Sequence, residues 1–163
     1  MIRRSTNLVN EGALRPILIG GLIAGVLDIT YACVFSYIRR GFMPSRVLQS
    51  VASGALGQAA YRGGYKIAAL GLAFHFAFAL VFAAFYYFAS RGLRFMVDHR
   101  IISGMLYGLC IYLVMYGIVL RFSAIHSTTY PWQYPWVVLI CNVLIHMLGI
   151  GLPIALAVRK YSK

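Results

Sequence analysis

Four residues that can carry a charge or form strong hydrogen bonds stand inside long apolar stretches of this chain. They are Asp28, His75, Asn142 and His146. A carboxylic acid and an imidazole can exchange a proton, and an imidazole can also ligate a haem iron or bond to an amide. A charge at the centre of a bilayer costs at least about 2.5 kcal/mol, so such residues are expected to face a partner or water. The candidate chemistry therefore lies in a polar layer among apolar segments.

The apolar stretches around these residues are long enough to cross a membrane. They cover residues 17–38, 67–89, 101–120 and 136–158. At 1.5 Å per residue, each would form a helix that spans a hydrocarbon core of roughly 30 Å. Because 61% of the residues are hydrophobic and no long polar stretch is left for a soluble domain, we predict a single all-α transmembrane domain over residues 1–163, a four-helix bundle.

A more polar segment between the first two runs is predicted to form an amphipathic helix over residues 45–62. Apolar residues recur there at helical spacing, with Arg46, Gln49 and Ser53 on the other face. Such a helix is either interfacial or re-entrant, and the sequence leaves both open. The arginines beside or within it are candidates to bind anionic lipid headgroups, namely Arg39, Arg40 and Arg46.

Basic residues flank the apolar runs and do not interrupt them. The formal net charge is +12 at pH 7, with 15 Lys and Arg against 3 Asp and Glu. This placement fits lipid phosphates and membrane orientation, so no nucleic acid is expected as a partner. With the N-terminus inside, nine of the 15 basic residues fall in inner segments and six in outer ones. The positive-inside rule therefore predicts that both termini are cytoplasmic.

Polar residues of different runs fall at similar depths. The second and fourth runs cross in the same direction, and counting from their centres places His75 between Asn142 and His146 in height. Asn142 and His146 are four residues apart and share a helix face. Three tyrosines fall in the same half of the bilayer or at its edge. The predicted buried polar cluster is Asp28, Tyr31, His75, Tyr112, Tyr116, Asn142 and His146.

Two glycine pairs have the spacing of a helix-packing motif. Gly21 and Gly25 form one GxxxG step, and Gly104 and Gly108 form another. Such steps let two helix backbones approach closely. They indicate helix packing, either within the chain or with a homo-oligomer or a larger membrane complex.

Three roles are open for the polar cluster. In the first, its members satisfy each other's hydrogen bonds and fix how the helices pack. In the second, they form an ionisable relay in which Asp28 exchanges a proton with a histidine. In the third, His75 and His146 are axial ligands of a haem or another tetrapyrrole.

Catalytic groupings are not evident in the sequence. Asp28 is the one carboxylate inside the runs, with no second acid beside it, and there is no Ser-His-Asp order or phosphate-binding loop. The cysteines lack metal-ligand spacing. We therefore predict a non-enzymatic packing or accessory component of a membrane assembly or homo-oligomer, with no metal. A proton- or ion-coupled transporter or channel is the alternative.

Several short motifs resemble those of a known group of proteins. They are AGVLD at 24–28, LQSVASGALG at 48–57, the His75-Phe76 pair and GMLYG at 104–108. These segments are similar to those of a family of small, uncharacterised four-span bacterial inner-membrane proteins. The resemblance covers most of the chain and implies a multi-pass protein of the bacterial inner (cytoplasmic) membrane. It implies no particular activity, so no catalytic or binding residue is carried over.

Overall fold

The structure, a computed structural model, describes residues 3–126 and 130–161, with residues 3–11 and 131 described by their backbone only. The first half of the chain contains two long helices joined by a shorter one. Helix α1 is Arg3–Arg40, α2 is Pro44–Leu56, a 3-10 helix follows over Gly57–Arg62, and α3 is Gly64–Gly92.

The second half contains two long helices that are each interrupted by a π-helical turn. After the short helix α4, Arg94–Asp98, the chain forms α5, Arg100–Val114, a first π turn, Met115–Val119, and α6, Leu120–Phe122. After a 3-10 helix over Pro131–Gln133, it forms α7, Trp136–Ile145, a second π turn, His146–Gly151, and α8, Leu152–Tyr161.

The prediction of an all-helical chain with four long apolar helices is confirmed, and no strand occurs in the part of the chain that the structure describes. Among the described residues, four helices are long and apolar enough to cross a membrane, and we call them spans 1 to 4: Gly12–Arg40, Gly64–Gly92, Arg100–Phe122 and Trp136–Tyr161. Most of their ends lie a few residues beyond the predicted apolar runs, because the polar and basic flanks continue the helix. Lys163, one of the basic residues counted as cytoplasmic, lies outside the described residues.

Helix α2 packs on α3 through backbone contact. A Cβ atom at Gly71 would collide with the carbonyl group of Leu48, so only glycine allows α2 to lie this close. Gly71 is about 10 Å along α3 from Gly64. The middle of α2 therefore packs beside the body of span 2 and not at its first turn. The predicted 45–62 helix is divided at Gly57, whose φ of 62° ends the α-helical register.

Both predicted GxxxG steps contact other helices of the same chain. Gly21 lies against Leu80 of α3, and Gly25 lies against Phe76 one turn away. In spans 3 and 4, a Cβ atom at Gly108 would collide with the backbone of the second π turn, and one at Gly104 would collide with the Ala155 Cβ of α8. The glycines thus join α1 to α3 and span 3 to span 4.

The two ends of the molecule differ. The α2 end holds α2, the C-terminus of α1 and the connection between spans 3 and 4. The α4 end holds α4, and its polar groups are closely bonded: the Tyr86 hydroxyl donates to the Met96 carbonyl at 2.9 Å and lies 2.9 Å from Ser103 Oγ. We call this group the Tyr86–Ser103 network. Tyr86 is also part of the apolar core, with Ile111 and Ile154.

Candidate functional site

Asp28 and His75 face each other between α1 and α3. The close approach of Gly25 to the Phe76 ring brings the two helices together one turn from Asp28. The carboxylate Oδ2 of Asp28 lies 4.0 Å from His75 Nδ1, and His75 Nε2 lies 2.9 Å from the Gly25 carbonyl oxygen. The two side chains are 21% and 13% exposed, respectively. Neither group is sealed inside the protein.

Hydrogen bonding determines where this pair can hold a proton. A carbonyl oxygen only accepts, so His75 Nε2 carries a hydrogen in its bond to Gly25. The other ring nitrogen, Nδ1, therefore faces Asp28 either with a lone pair or with a second hydrogen. A lone pair opposite a carboxylate is repulsive, and a proton on either group would remove that repulsion. The Asp28–His75 pair is therefore a place where a proton can be held between two helices.

Asn142 links three helical segments. Its Oδ1 accepts from the Tyr31 hydroxyl of α1 at 3.1 Å, and its Nδ2 donates to the Tyr116 hydroxyl of the first π turn at 3.3 Å. Its backbone carbonyl accepts from His146 Nδ1 at 2.7 Å. Asn142 therefore connects α1, span 3 and the start of the second π turn, and we call these bonds the Asn142 chain.

His146 packs against two tyrosine rings. Its ring centroid is 5.3 Å from that of Tyr112 and 6.4 Å from that of Tyr116. The Tyr112 side chain is buried, and its hydroxyl has no hydrogen-bond partner among the described residues. Because Nδ1 of His146 is bonded to the Asn142 carbonyl, Nε2 is the ring nitrogen left to bind another group.

Both π turns contribute to this site. Tyr116 stands in the first and His146 begins the second. The second ends two residues before Pro153, which has no N–H to bond the Gly149 carbonyl and crowds that carbonyl with its ring. The wider π turn accommodates this defect, and such turns are frequent at functional sites.

The polar groups line a large cavity of about 720 Å³. This volume is in the range of small-molecule sites. Its walls come from α1, α2, α3, the two interrupted spans and the connection between them. The polar or charged lining residues are Asp28, Tyr31, Ser36, Arg39, Arg40, Ser50, His75, Tyr116, Ser123, Tyr134, Asn142 and His146.

Six of the seven residues of the predicted polar cluster line this cavity, and Tyr112 is not among them. The structure brings them together in two groups. Asp28 contacts His75, whereas Tyr31, Tyr116 and His146 are bonded to or packed around Asn142.

The three arginines predicted to bind lipid headgroups lie in two different places. Arg39 and Arg40 line the cavity, whereas Arg46 does not and lies 3.9 Å above the centre of the Tyr61 ring. Only two ion pairs fall within 4.0 Å in the described part of the chain, and they involve Asp28 and Asp98. The cavity arginines therefore have no carboxylate partner there.

Haem ligation by both histidines does not fit this arrangement well. His75 Nε2 holds a hydrogen for Gly25 and has no lone pair to offer an iron. Among the described residues, no group of three or more His, Cys, Asp or Glu side chains is placed to hold a metal ion. The donor set that is present suits a proton and hydrogen bonds.

Sequence reasoning missed the aromatic wall of the cavity. Phe74, Phe78 and Phe82 line it and are spaced four residues apart along α3. That spacing puts them on one helix face, but in an apolar span the same pattern is also typical of a lipid-facing surface. The contribution of α2 through Val47, Val51 and Ser50 was missed for a different reason, because the sequence does not say where α2 packs.

No family model matches this chain, and no curated protein or solved structure matches it. The resemblance of its short motifs to small four-span bacterial inner-membrane proteins stays a prediction. Function is therefore inferred from the cavity, the Asp28–His75 pair and the two arginines that line it.

Proposed function

We propose that this chain is a small, multi-pass, proton-coupled membrane transporter that binds a mainly apolar solute in its cavity. One observation carries the proposal: an acid and a histidine from two different helices face each other at 4.0 Å on the wall of a cavity of about 720 Å³. Ionisable residues placed in this way inside a membrane are typical of proton pathways. Polar side chains with a purely structural role would be expected to be fully buried and to have their hydrogen bonds satisfied by other protein groups.

The coupling follows from solvation. With one proton the Asp28–His75 pair has no net charge, and without it the carboxylate is unbalanced. An apolar solute that displaces water from the cavity disfavours the unbalanced form. A water-filled cavity lets the proton leave. Solute binding and proton binding therefore favour each other, which is the thermodynamic requirement for coupled transport.

The membrane arrangement is part of the proposal. We infer a bundle of the four spans with the N- and C-termini in the cytoplasm of a bacterium, and α2 set into the outer leaflet. Support comes from the basic-residue count and from the depth at which α2 contacts Gly71. In this arrangement the cavity mouth near Arg39 and Arg40 faces outward.

Assembly with itself or with a larger complex stays a prediction. Its sequence basis was the two GxxxG steps, and both steps are in contact with other helices of this chain. The geometry therefore favours the cavity over an external packing face as the seat of function. The transport proposal, like the assembly prediction, is non-enzymatic.

The test is proton flux in liposomes that contain the purified protein and a pH-sensitive dye. A potassium diffusion potential drives protons, and the solutes are octyl sulfate, octyltrimethylammonium and octanol. These solutes carry no titratable group near neutral pH, so they cannot carry protons through the lipid themselves. We expect at least one of them to produce a proton flux that needs the protein.

The substitution Asp28→Asn should abolish this flux, because the amide cannot exchange the proton. His99→Gln is the matched control, since His99 is an exposed histidine at the α4 end and does not line the cavity. Flux no higher than in empty liposomes with every solute would overturn the proposal. So would a flux that Asp28→Asn leaves unchanged.

A further inference from the structure

The charges of the cavity indicate which solutes it takes. Arg39 and Arg40 are the only arginine or lysine side chains that line it, and Asp28 is the only acid there. Even a fully ionised Asp28 offsets only one of the two arginines. The two arginines therefore leave the cavity with an excess positive charge.

Apart from Asp28, no acidic side chain of the described residues lies near these arginines. The chain contains three acidic residues, Glu11, Asp28 and Asp98. Asp98 lies 4.0 Å from Arg159 at the opposite end, and Glu11 precedes Arg39 by a helix length of about 42 Å. The guanidinium groups instead lie near aromatic rings, 5.7 Å from the Phe35 centroid for Arg39 and 6.0 Å from the Phe42 centroid for Arg40.

The rest of the cavity suits an apolar chain. Phe74, Phe78 and Phe82 follow one another down α3, and the Phe78 and Phe82 rings stack at 6.4 Å. They extend from the level of His75 toward the α4 end. A ligand that reaches from the arginines along this wall has an anionic head and an apolar tail.

We propose that the cavity binds an amphipathic anion, with its acidic head at Arg39 and Arg40 and its tail against the phenylalanine wall. This assignment rests on the proposed function and names its substrate class. Arg46 is excluded from the head site, because it is not in the cavity wall and its guanidinium stacks on Tyr61. The anion is either a single-chain amphiphile or the headgroup and one chain of an acidic lipid.

The experiment is photolabelling in phosphatidylcholine nanodiscs. The probe is an octyl sulfate analogue with a diazirine at the end of its chain, and the labelled peptides are identified by mass spectrometry. We expect labelling on α3 around Phe74, which is the phenylalanine of this wall nearest to the arginines along the helix. Unlabelled octyl sulfate should displace the probe, whereas octyltrimethylammonium of the same chain length should not.

Paired variants test the head site. Arg39→Gln with Arg40→Gln should weaken displacement by octyl sulfate about tenfold or more, the effect expected from losing charge-assisted contacts. Both arginines are exposed, so their replacement leaves the packed core unchanged. The control is Arg62→Gln, which makes the same change at an exposed arginine of the α2 end outside the cavity, and it should behave like the unaltered protein.

The lipid composition of the nanodisc identifies the source of the anion. If phosphatidylglycerol displaces the probe as octyl sulfate does, the ligand is an acidic lipid. If only octyl sulfate displaces it, the ligand is a single-chain amphiphile. Either result supports the assignment.

Three results would overturn the assignment: labelling confined to the lipid-facing surface, equal displacement by the quaternary amine, or an unchanged double variant. The two proposals fail separately. Labelling without proton flux removes the coupling and keeps the ligand class, whereas proton flux without labelling in the cavity removes the ligand class alone.

Discussion

The two ends of this molecule hold their buried polar groups in opposite ways. At the α4 end, Tyr86 is 0% exposed and Ser103 is 5% exposed, and their hydroxyls bond to each other and to the Met96 carbonyl at 2.9 Å. At the α2 end, Asp28 and His75 are partly exposed to a cavity and stand 4.0 Å apart.

This difference separates structural polar groups from functional ones. A buried hydroxyl with all its bonds made has nothing left to offer a ligand, and its loss costs stability. A pair that is partly exposed and not tightly bonded can gain or lose a proton and accept another partner. The same chain therefore closes one end with the Tyr86–Ser103 network and leaves reactive groups at the other.

The largest loss of stability should come from breaking the contact between spans 3 and 4, because these two spans contribute residues to both ends of the molecule. In Gly108→Ala the new Cβ would collide with the His146 carbonyl, and backbone cannot move aside as a side chain can. We expect a loss of about 3 kcal/mol or more in the free energy of unfolding in lipid bicelles, at the upper end of typical overpacking costs.

Gly117→Ala is the matched control for that variant. It lies nine residues further along span 3, and an added Cβ would meet no atom within 4 Å. We expect a change within about 1 kcal/mol, in the direction of greater stability, because alanine favours a helix more than glycine does. Equal unfolding free energies for the two variants would contradict the close contact at Gly108.

Much of the fold could be predicted from the sequence because long apolar helices are set by length and composition. The depth of Asp28, His75 and Asn142 could also be estimated, since depth follows from residue count along a helix. The sequence could not, however, be used to predict which of the two histidines lies next to Asp28. That choice depends on how each helix is rotated about its axis, and an apolar face serves equally well toward lipid and toward another helix.

The π turns and the cavity were beyond sequence reasoning for a related reason. A π turn reflects a local defect that the surrounding helices accommodate, and a proline such as Pro153 disturbs the helix four residues before it without determining the form of the disturbance. The Tyr86–Ser103 network was overlooked although its hydroxyls stand in or beside apolar runs, because isolated Tyr and Ser residues there are common. Placing α2 requires knowledge of its contact with Gly71.

A smaller loss of stability is expected when one tyrosine hydroxyl is removed at each end of the molecule. Tyr86→Phe removes a fully buried hydroxyl that donates to the Met96 carbonyl and bonds to Ser103, so it should cost about 1–2 kcal/mol of unfolding free energy. Tyr31→Phe removes a hydroxyl that donates to Asn142 beside the cavity, where water can replace it, and should cost less than about 1 kcal/mol. Equal costs, or a larger cost at Tyr31, would remove the distinction between a closed and an open end.

The smallest change in stability should follow Asp28→Asn. The amide that this substitution introduces can donate to His75 Nδ1 while Nε2 keeps its bond to Gly25, so the contact survives without the shared proton. We expect the unfolding free energy to change by less than about 0.5 kcal/mol, within the range of substitutions that preserve packing. A loss of about 2 kcal/mol or more would instead mean that the pair holds α1 to α3, as the Tyr86–Ser103 network holds the other end.

Nitrogen-15 NMR of histidine-labelled protein then distinguishes a proton site from a plain hydrogen bond. In Asp28→Asn, His75 is expected to keep its hydrogen on Nε2, because the Gly25 carbonyl can only accept. In the unaltered protein, the Nδ1 signal should respond to pH and to octyl sulfate together, since filling the cavity favours the form that holds the proton. An Nδ1 signal that changes with neither pH nor octyl sulfate would show that the Asp28–His75 pair binds no exchangeable proton. The two ends of the molecule would then differ only in packing.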